Sequence, residues 1–208
     1  MRDVEEYNVK LKNTFMANMT TENLERYVLS ELLSPIEDYK NALKIIHEYK
    51  DTYASIDLLI VGANEANYWY VYDYDFLDCL ISKYHRLERK QQAIVNFLIA
   101  DNIRRDDADY KENTQYKNNL LKSIELSNDF AFANNRIYLA DLEKSWNDDR
   151  VCREIISNIK EFFTEDTYRN EPLSYFTDIS HYIDEYVLGI VTFGTAEELI
   201  RTHRKYGL

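Results

Sequence analysis

The sequence predicts an all-α protein, because its apolar residues follow a helical period and residues that break helices are rare. Apolar side chains recur at three- and four-residue spacing through most of the 208 residues, as in amphipathic helices. The chain has 4 glycines and 2 prolines, whereas average usage would give about 25 of the two together. Barrels and sandwiches of hairpins need many Gly, Pro and Asn-Gly turns, so the composition argues against an all-β fold.

Seven helices are predicted up to residue 126, from apolar spacing and start signals. Ser34-Pro35-Ile36-Glu37 combines an N-cap serine, proline at the first helical position and a glutamate three residues after the cap. In the last of the seven, Asp107 is the expected start and Leu120, Leu121 and Ile124 form the apolar face. The predicted ranges are 3–18, 21–33, 35–49, 52–70, 74–86, 89–104 and 107–126.

Four further helices are predicted after residue 126, at 130–146, 149–164, 172–188 and 195–206. The clearest apolar stripe of the chain runs from Val151 to Phe163 on the second of these. A capping box at Thr195-Ala196-Glu197-Glu198 starts the last helix, which ends near Gly207. Short connections between all eleven helices predict that consecutive helices pack as antiparallel hairpins.

One segment departs from the helical period. Aromatic side chains occupy every second position from Tyr68 to Phe76, which is also the pattern of a β-strand. The neighbouring segments are helical and would leave such a strand without a partner. We therefore predict a helix end, a short turn at Tyr72–Asp75 and a new helix, with a strand as the alternative.

Part of the chain resembles tetratricopeptide repeats. Ser123-Ile124-Glu125-Leu126-Ser127-Asn128-Asp129, followed by the helix pair 130–146 and 149–164, is similar to the end of one repeat and the helices of the next. Leu58-Leu59-Ile60-Val61-Gly62-Ala63 looks like the Leu-Gly step of a repeat's first helix. The resemblance covers residues 52–164, and it implies a stacked superhelix with a concave protein- or peptide-binding surface and no catalytic residues. An irregular α-bundle is the alternative architecture.

The chain contains no stretch rich in Pro, Gly or Ser that would serve as a domain linker. We therefore predict one helical domain over 1–208. Within it, residues 1–50 form N-terminal helices, 52–164 form repeat-like hairpins and 172–208 form C-terminal capping helices.

The charge balance restricts the classes of partner. Lys+Arg is 25 and Asp+Glu is 37, so the formal net charge is 25 − 37 = −12. This excess of acids opposes binding to nucleic acid or to an anionic membrane and would favour a basic partner. No signal peptide or long apolar span is evident, and Cys79 and Cys152 lack metal-binding spacing. A cytoplasmic protein with two reduced thiols is expected, and a disulfide between them stays open.

No motif for catalysis or for a cofactor is recognisable. The glycines are too few for a phosphate-binding loop or a dinucleotide fingerprint. Asp178, His181 and Glu185 share a helical face and could ligate a metal, but they lie away from the apolar stripe of their helix. A solvated charged face is the preferred interpretation, so no metal and no cofactor are predicted.

The aromatic run is the most unusual local feature of the sequence. Tyr and Trp side chains supply large contact areas with a polar end and are enriched at binding hot spots. The predicted binding residues are Tyr68, Tyr70, Tyr72, Asp73, Tyr74 and Asp75. The competing interpretation is that Tyr68, Trp69 and Phe76 pack in the core.

These observations favour a non-enzymatic helical adaptor with a protein or peptide partner. An acidic immunity- or antitoxin-type protein that neutralises a basic toxin is one form of this hypothesis. An all-α metal-dependent hydrolase or other enzyme using Asp178, His181 and Glu185 is the alternative from another class. A structural subunit whose apolar helix faces pair in a homo-oligomer is a third.

Overall fold

The computed structural model describes residues 2–32 and 39–126, and these residues form helices joined by short connections. They form seven α-helices and two 3-10 turns, with no strand among them. The all-α prediction is therefore confirmed for this part of the chain. The helices are α1 (Arg2–Ala17), α2 (Thr21–Leu32), α3 (Tyr39–Tyr49), α4 (Ile56–Tyr68), α5 (Phe76–Ser82), α6 (Arg89–Asp106) and α7 (Thr114–Leu126), and the 3-10 turns are Tyr84–Arg86 and Tyr110–Glu112.

Several sequence predictions lie outside the described residues. They include the start signal Ser34-Pro35-Ile36-Glu37 and the helices 130–146, 149–164, 172–188 and 195–206. The total of eleven helices therefore stays a prediction.

The described residues divide into two compact units, one within residues 2–82 and one within residues 83–126. In the first unit each helix packs on the next along the chain, from α1 through α5. In the second unit α6 packs on α7, with the 3-10 turn Tyr110–Glu112 against both. The prediction of one domain over 1–208 stays a prediction.

Helix α4 is buried along most of its length. All ten residues from Leu58 to Asn67 are buried, as expected for a helix that is largely apolar all round. The helix packs against both α3 and α5. A Cβ atom at Gly62 would lie 3.3 Å from Ile46 Cγ2 and from the Phe76 ring, so glycine permits this close approach.

Helix α4 begins at Ile56, four residues after the start of the predicted helix 52–70. The backbone N–H groups of Tyr53 and Ala54 both donate to the carbonyl of Tyr49 at 3.0 Å, which closes a turn after α3. Ser55 then caps α4, because its side-chain oxygen accepts a hydrogen bond from the N–H of Leu58 at 3.1 Å. The cap sets the start of α4 at Ile56.

The predicted helix 74–86 is interrupted. Helix α5 ends at Ser82, whose hydroxyl donates to the carbonyl of Cys79 at 2.7 Å. After the following 3-10 turn, the side chain of Gln92 donates to the carbonyl of Leu87 at 3.0 Å. Side-chain hydrogen bonds to the backbone compete in this way with helix continuation. Helical spacing groups Ile81 with Phe76 and Leu80 as apolar residues of the predicted helix, but Ile81 is 44% exposed.

The second unit has an apolar core between α6 and α7. Phe97 and Leu120 are fully buried, and the Ser123 hydroxyl donates to the carbonyl of Ala93 at 2.6 Å across the helix pair. Arg89, at the start of α6, donates to the carbonyls of Glu125 at 2.9 Å and Leu126 at 2.8 Å. These bonds satisfy carbonyl groups at the end of α7 that have no partner within the helix.

A buried carboxylate sits at the end of α6. Asp101 is 4% exposed and accepts hydrogen bonds from the Nε atoms of Arg104 at 3.1 Å and Arg105 at 2.8 Å. Burial alone would lower the pKa of Arg104, but the adjacent Asp101 carboxylate outweighs it and the pKa is raised. The two arginines thus compensate the buried charge of Asp101.

Helix α7 begins at Thr114, seven residues after the start predicted at Asp107. The Asp107 carboxylate accepts hydrogen bonds from the N–H of Asp109 at 2.9 Å and from the Asn113 side-chain amide at 3.0 Å. These bonds bend the chain, and Asn113 then caps α7 by accepting from the N–H of Gln115 at 2.9 Å. The sequence predicts a helix start at Asp107, but Asp107 instead forms a turn before the helix.

Candidate functional site

The candidate site is the connection between α4 and α5, residues 68–75, which we call the aromatic loop. Helix α4 ends in a left-handed cap, in which the N–H of Val71 donates to the carbonyl of Ala66 at 2.9 Å. The N–H of Tyr70 donates to the carbonyl of Asn67 at 3.3 Å. Tyr70 takes the left-handed conformation, with φ 55°. Glycine is the usual residue at this position of the cap.

The predicted order of helix, turn and helix is confirmed and the alternative strand does not form, but the turn lies at Trp69 and Tyr70 rather than at Tyr72–Asp75. Helix α4 ends at Tyr68 and α5 starts at Phe76, so the chain between them connects two helices. The cap reverses the direction of the chain immediately after Tyr68, which breaks the alternation that the aromatic spacing suggested.

The loop exposes two tyrosine side chains. Tyr70 is 57% exposed and Tyr72 is 62% exposed, the two highest values among the large apolar side chains of the described residues. Asp73 is also exposed. These three members of the predicted binding set therefore lie at the surface.

Trp69 belongs to the same surface. It is 37% exposed, and its ring stacks on Tyr39 of α3, with ring centroids 4.3 Å apart and planes at 9°. Tyr68, which is half-buried, meets the Trp69 ring edge-on at 4.9 Å. The competing interpretation placed Trp69 in the core. Its partner Tyr39 lies thirty residues earlier, so no local pattern of the sequence indicated the stack.

Asp75 holds the end of the loop against α3. Its two carboxylate oxygens accept hydrogen bonds from Lys50 Nζ at 2.6 and 2.7 Å, and His47 Nδ1 lies 3.6 Å from one of them. The hydrogen bonds from Lys50 lower the pKa of Asp75, and the same bonds raise the pKa of Lys50. Lys50 and His47 are site residues that the sequence analysis missed.

Tyr74 and Phe76 turn inward from the loop. Tyr74 is half-buried, with its ring 5.1 Å from His47 and 5.3 Å from Phe76 between centroids. Phe76 is fully buried, as the core interpretation predicted. The aromatic run thus divides into an inner pair, Tyr74 and Phe76, and an outer group that includes Tyr70 and Tyr72.

The described residues provide no metal centre. Among 2–32 and 39–126, no group of three or more His, Cys, Asp or Glu side chains is arranged to hold a metal ion. Asp178, His181 and Glu185 lie outside these ranges, as does Cys152, so the metal hypothesis stays a prediction. Cys79 is a free, half-buried thiol.

No helix within the described ranges has both the length and the apolar character that a transmembrane span requires. Comparison with protein-family models, with curated proteins and with solved structures finds no significant match to this chain.

Proposed function

We propose that the protein is a non-enzymatic helical module that binds a protein or peptide partner through the aromatic loop. The observation that carries the proposal is the pair of exposed tyrosines, Tyr70 and Tyr72, on a loop anchored at both ends. The left-handed cap fixes the start of the loop, and the bridge between Lys50 and Asp75 fixes its end. An anchored aromatic surface loses little conformational entropy when it binds.

The backbone of Tyr70 adds support to this proposal. A residue other than glycine in the left-handed conformation costs about 1 kcal/mol. Such local strain is concentrated at binding and catalytic sites in proteins. Glycine would form the same cap without this cost, so the cap itself does not explain a tyrosine at this position.

The finer architecture that we propose is a tetratricopeptide-like stack of helical hairpins. The packing of each helix on its neighbour from α1 through α5 supports it, because helices of repeat proteins contact mainly their chain neighbours. Small-angle X-ray scattering distinguishes it from the alternative irregular bundle. A compact bundle of this length would have a radius of gyration of about 17 Å, and a clearly larger value would favour the superhelix.

An acidic immunity- or antitoxin-type protein is the finer function that we propose. Its support is the net charge of −12, which would steer a basic toxin towards this surface. A neighbouring gene that encodes a basic, toxin-like protein would favour this function, and co-purification of the two expressed proteins would test it. Failure of the two to associate would contradict this form of the proposal.

Selection from a random short-peptide library tests the binding function without assuming a partner. The bait is the full chain, and the counter-bait is the variant that carries both Tyr70→Ala and Tyr72→Ala. We expect peptides that bind the wild type and lose binding to the variant. Because both side chains are exposed, the variant should keep its free energy of unfolding within about 0.5 kcal/mol.

A matched control carries Ile81→Ala and Leu121→Ala, which remove exposed apolar side chains outside the aromatic loop. The selected peptides should bind this control as they bind the wild type. Peptides that bind all three proteins equally, or no enrichment at all, would overturn the proposed function. A large loss of melting temperature in the tyrosine variant would show that the rings are structural.

A further inference from the structure

We infer that the partner presents a lysine- or arginine-bearing segment to the aromatic loop, and that Asp73 is the carboxylate that receives the cation. This inference rests on the proposed function, because it names the chemistry of the partner at the same surface. It separates two aspartates, Asp73 and Asp75, that the sequence pattern treats as equivalent.

The charge of the segment around the aromatic loop is the first observation that supports a cationic partner. Residues 68–82 contain three aspartates and no lysine, arginine or histidine. All three, Asp73, Asp75 and Asp78, are exposed, as are Tyr70 and Tyr72. A surface with this composition is complementary to a cationic segment and would repel an acidic one.

The contacts of Asp75 with Lys50 and His47 distinguish it from Asp73. Lys50 contacts both oxygens of Asp75, and His47 lies 3.6 Å from it. Among the described residues, the Lys50 ammonium pairs with Asp75 and not with Asp73. Lys50 therefore already compensates Asp75 within the protein, whereas no ion pair joins Asp73 to a cation of residues 2–32 or 39–126.

The exposed rings of Tyr70 and Tyr72 are a further feature of this surface that would attract a cation. Tyr70 and Tyr72 expose more than half of their surface; Tyr72 directly precedes Asp73 in the chain, and Tyr70 lies three residues before it. A lysine or arginine side chain is attracted to the face of such a ring, by about 0.5–1 kcal/mol at exposed sites. An arginine or lysine paired with Asp73 would have the Tyr72 ring one residue from its counter-ion in the chain and the Tyr70 ring three residues from it.

Fluorescence titration with short oligoarginine and oligolysine peptides tests the inference on the full chain. A Trp146→Phe background leaves Trp69, in the aromatic loop, as the single tryptophan and makes the signal local. We expect cationic peptides to change this fluorescence and oligoglutamate to leave it unchanged. Affinity should fall as NaCl rises from about 50 mM to about 300 mM, because exposed ion pairs are screened.

Three variants locate the interaction. Asp73→Asn should weaken binding about threefold, as expected for one exposed ion pair. The matched control Asp109→Asn removes the same charge from an exposed site in the second unit and should leave affinity unchanged. Tyr70→Ala combined with Tyr72→Ala should weaken binding about tenfold, if each ring contributes as an exposed cation–π pair does.

The outcomes separate this inference from the proposed function. If the library selects tyrosine-dependent peptides that lack lysine and arginine, the loop binds a partner but the cationic inference is overturned. Equal effects of Asp73→Asn and Asp109→Asn would show attraction by net charge alone, and would also overturn it. If oligoarginine and oligolysine leave the Trp69 fluorescence unchanged, the cationic inference is also overturned. Loss of tyrosine-dependent selection overturns both proposals.

Discussion

Tyr70 combines an unfavourable backbone conformation with an exposed side chain. Its backbone sits in the left-handed region at φ 55°, where the Cβ atom crowds the adjacent carbonyl. Its side chain is 57% exposed, so little burial compensates the cost. Stability and binding should therefore respond in opposite directions to substitution at this position.

Tyr70→Gly is expected to raise the free energy of unfolding by about 0.5–1 kcal/mol, because glycine adopts the left-handed region without the steric cost. Urea denaturation measures the change. Tyr72→Gly is the matched control, since Tyr72 is similarly exposed but its φ is not positive. There glycine should leave stability unchanged or lower it. A loss of stability in Tyr70→Gly as large as that in the control would contradict the strain argument.

Asp75 shows how one ion pair can give a loop a dependence on pH. Its pKa is lowered by the hydrogen bonds from Lys50, and the pKa of Lys50 is raised by the same bonds. A lowered carboxyl pKa stabilises the fold above the unfolded pKa and stops doing so as the pH falls through the folded pKa. The raised lysine pKa adds the upper limit, so the bridge stabilises from about pH 4 to about pH 10.

Asp75→Asn should therefore lower the melting temperature at pH 7 and have a smaller effect as the pH falls below about 4. Thermal melts of wild type and variant across this range give the difference directly. Lys50→Gln removes the other partner, and in that background the Asp75→Asn effect should lose most of its dependence on pH. If the difference in melting temperature between wild type and variant stayed constant down to acidic pH, the bridge would be excluded as its source.

Helix α7 shows how a side-chain cap decides where an element begins. Asp107 and Asn113 direct their side chains to the backbone and to each other, and the hydrogen bond from Asn113 lowers the pKa of Asp107. The apolar spacing predicts Leu120 and Leu121 on one buried face; Leu120 is fully buried, but Leu121 is 50% exposed. Spacing locates the centre of the buried face but not its edges, and the first residue of a helix depends on which polar side chain accepts hydrogen bonds from its free N–H groups.

Asn113→Ala should destabilise the protein by about 1 kcal/mol, because the side chain accepts hydrogen bonds from two N–H groups at the start of α7. Equilibrium unfolding followed by circular dichroism measures this loss. Asn118→Ala is the comparison within the same helix, at an exposed interior position where alanine is favoured. It should be neutral or stabilising. Equal losses in the two variants would argue against a capping role for Asn113.

At the scale of the whole molecule, the dominant property is charge. The excess of acids, 37 against 25 bases, makes the chain repel itself as well as attract cations. Local ion pairs such as that of Lys50 with Asp75 oppose this repulsion, but both partners are partly exposed and so contribute modestly. Self-repulsion should therefore govern how the stability of the protein responds to salt.

Raising NaCl from about 10 mM to about 300 mM at pH 7 should increase the melting temperature by a few degrees, because it shortens the range of the repulsion. Differential scanning fluorimetry provides the measurement. The increase should be smaller near pH 5, where part of the carboxylates are protonated. A melting temperature that falls with salt at pH 7 would mean that the local ion pairs outweigh the net charge.

The sequence alone determined the fold class of the described residues and most of their buried faces. Helical spacing and scarce glycine and proline are local properties, and the hydrophobic effect acts on them wherever the chain folds. The turn between α4 and α5 was also predicted, because the flanking helices leave a lone strand no partner. The exact limits of α4, α5 and α7 were not, since they depend on side-chain hydrogen bonds of Ser55, Ser82 and Asn113.

Only the tertiary structure decided which members of the aromatic run face solvent. The stack of Trp69 on Tyr39 and the bridge of Asp75 to Lys50 join residues thirty and twenty-five positions apart. No periodicity within the run encodes such contacts, because they depend on where α3 lies beside the loop. The position of α3 beside the loop places Phe76 in the core and pairs Asp75 with Lys50. It leaves Tyr70, Tyr72 and Asp73 exposed at the surface.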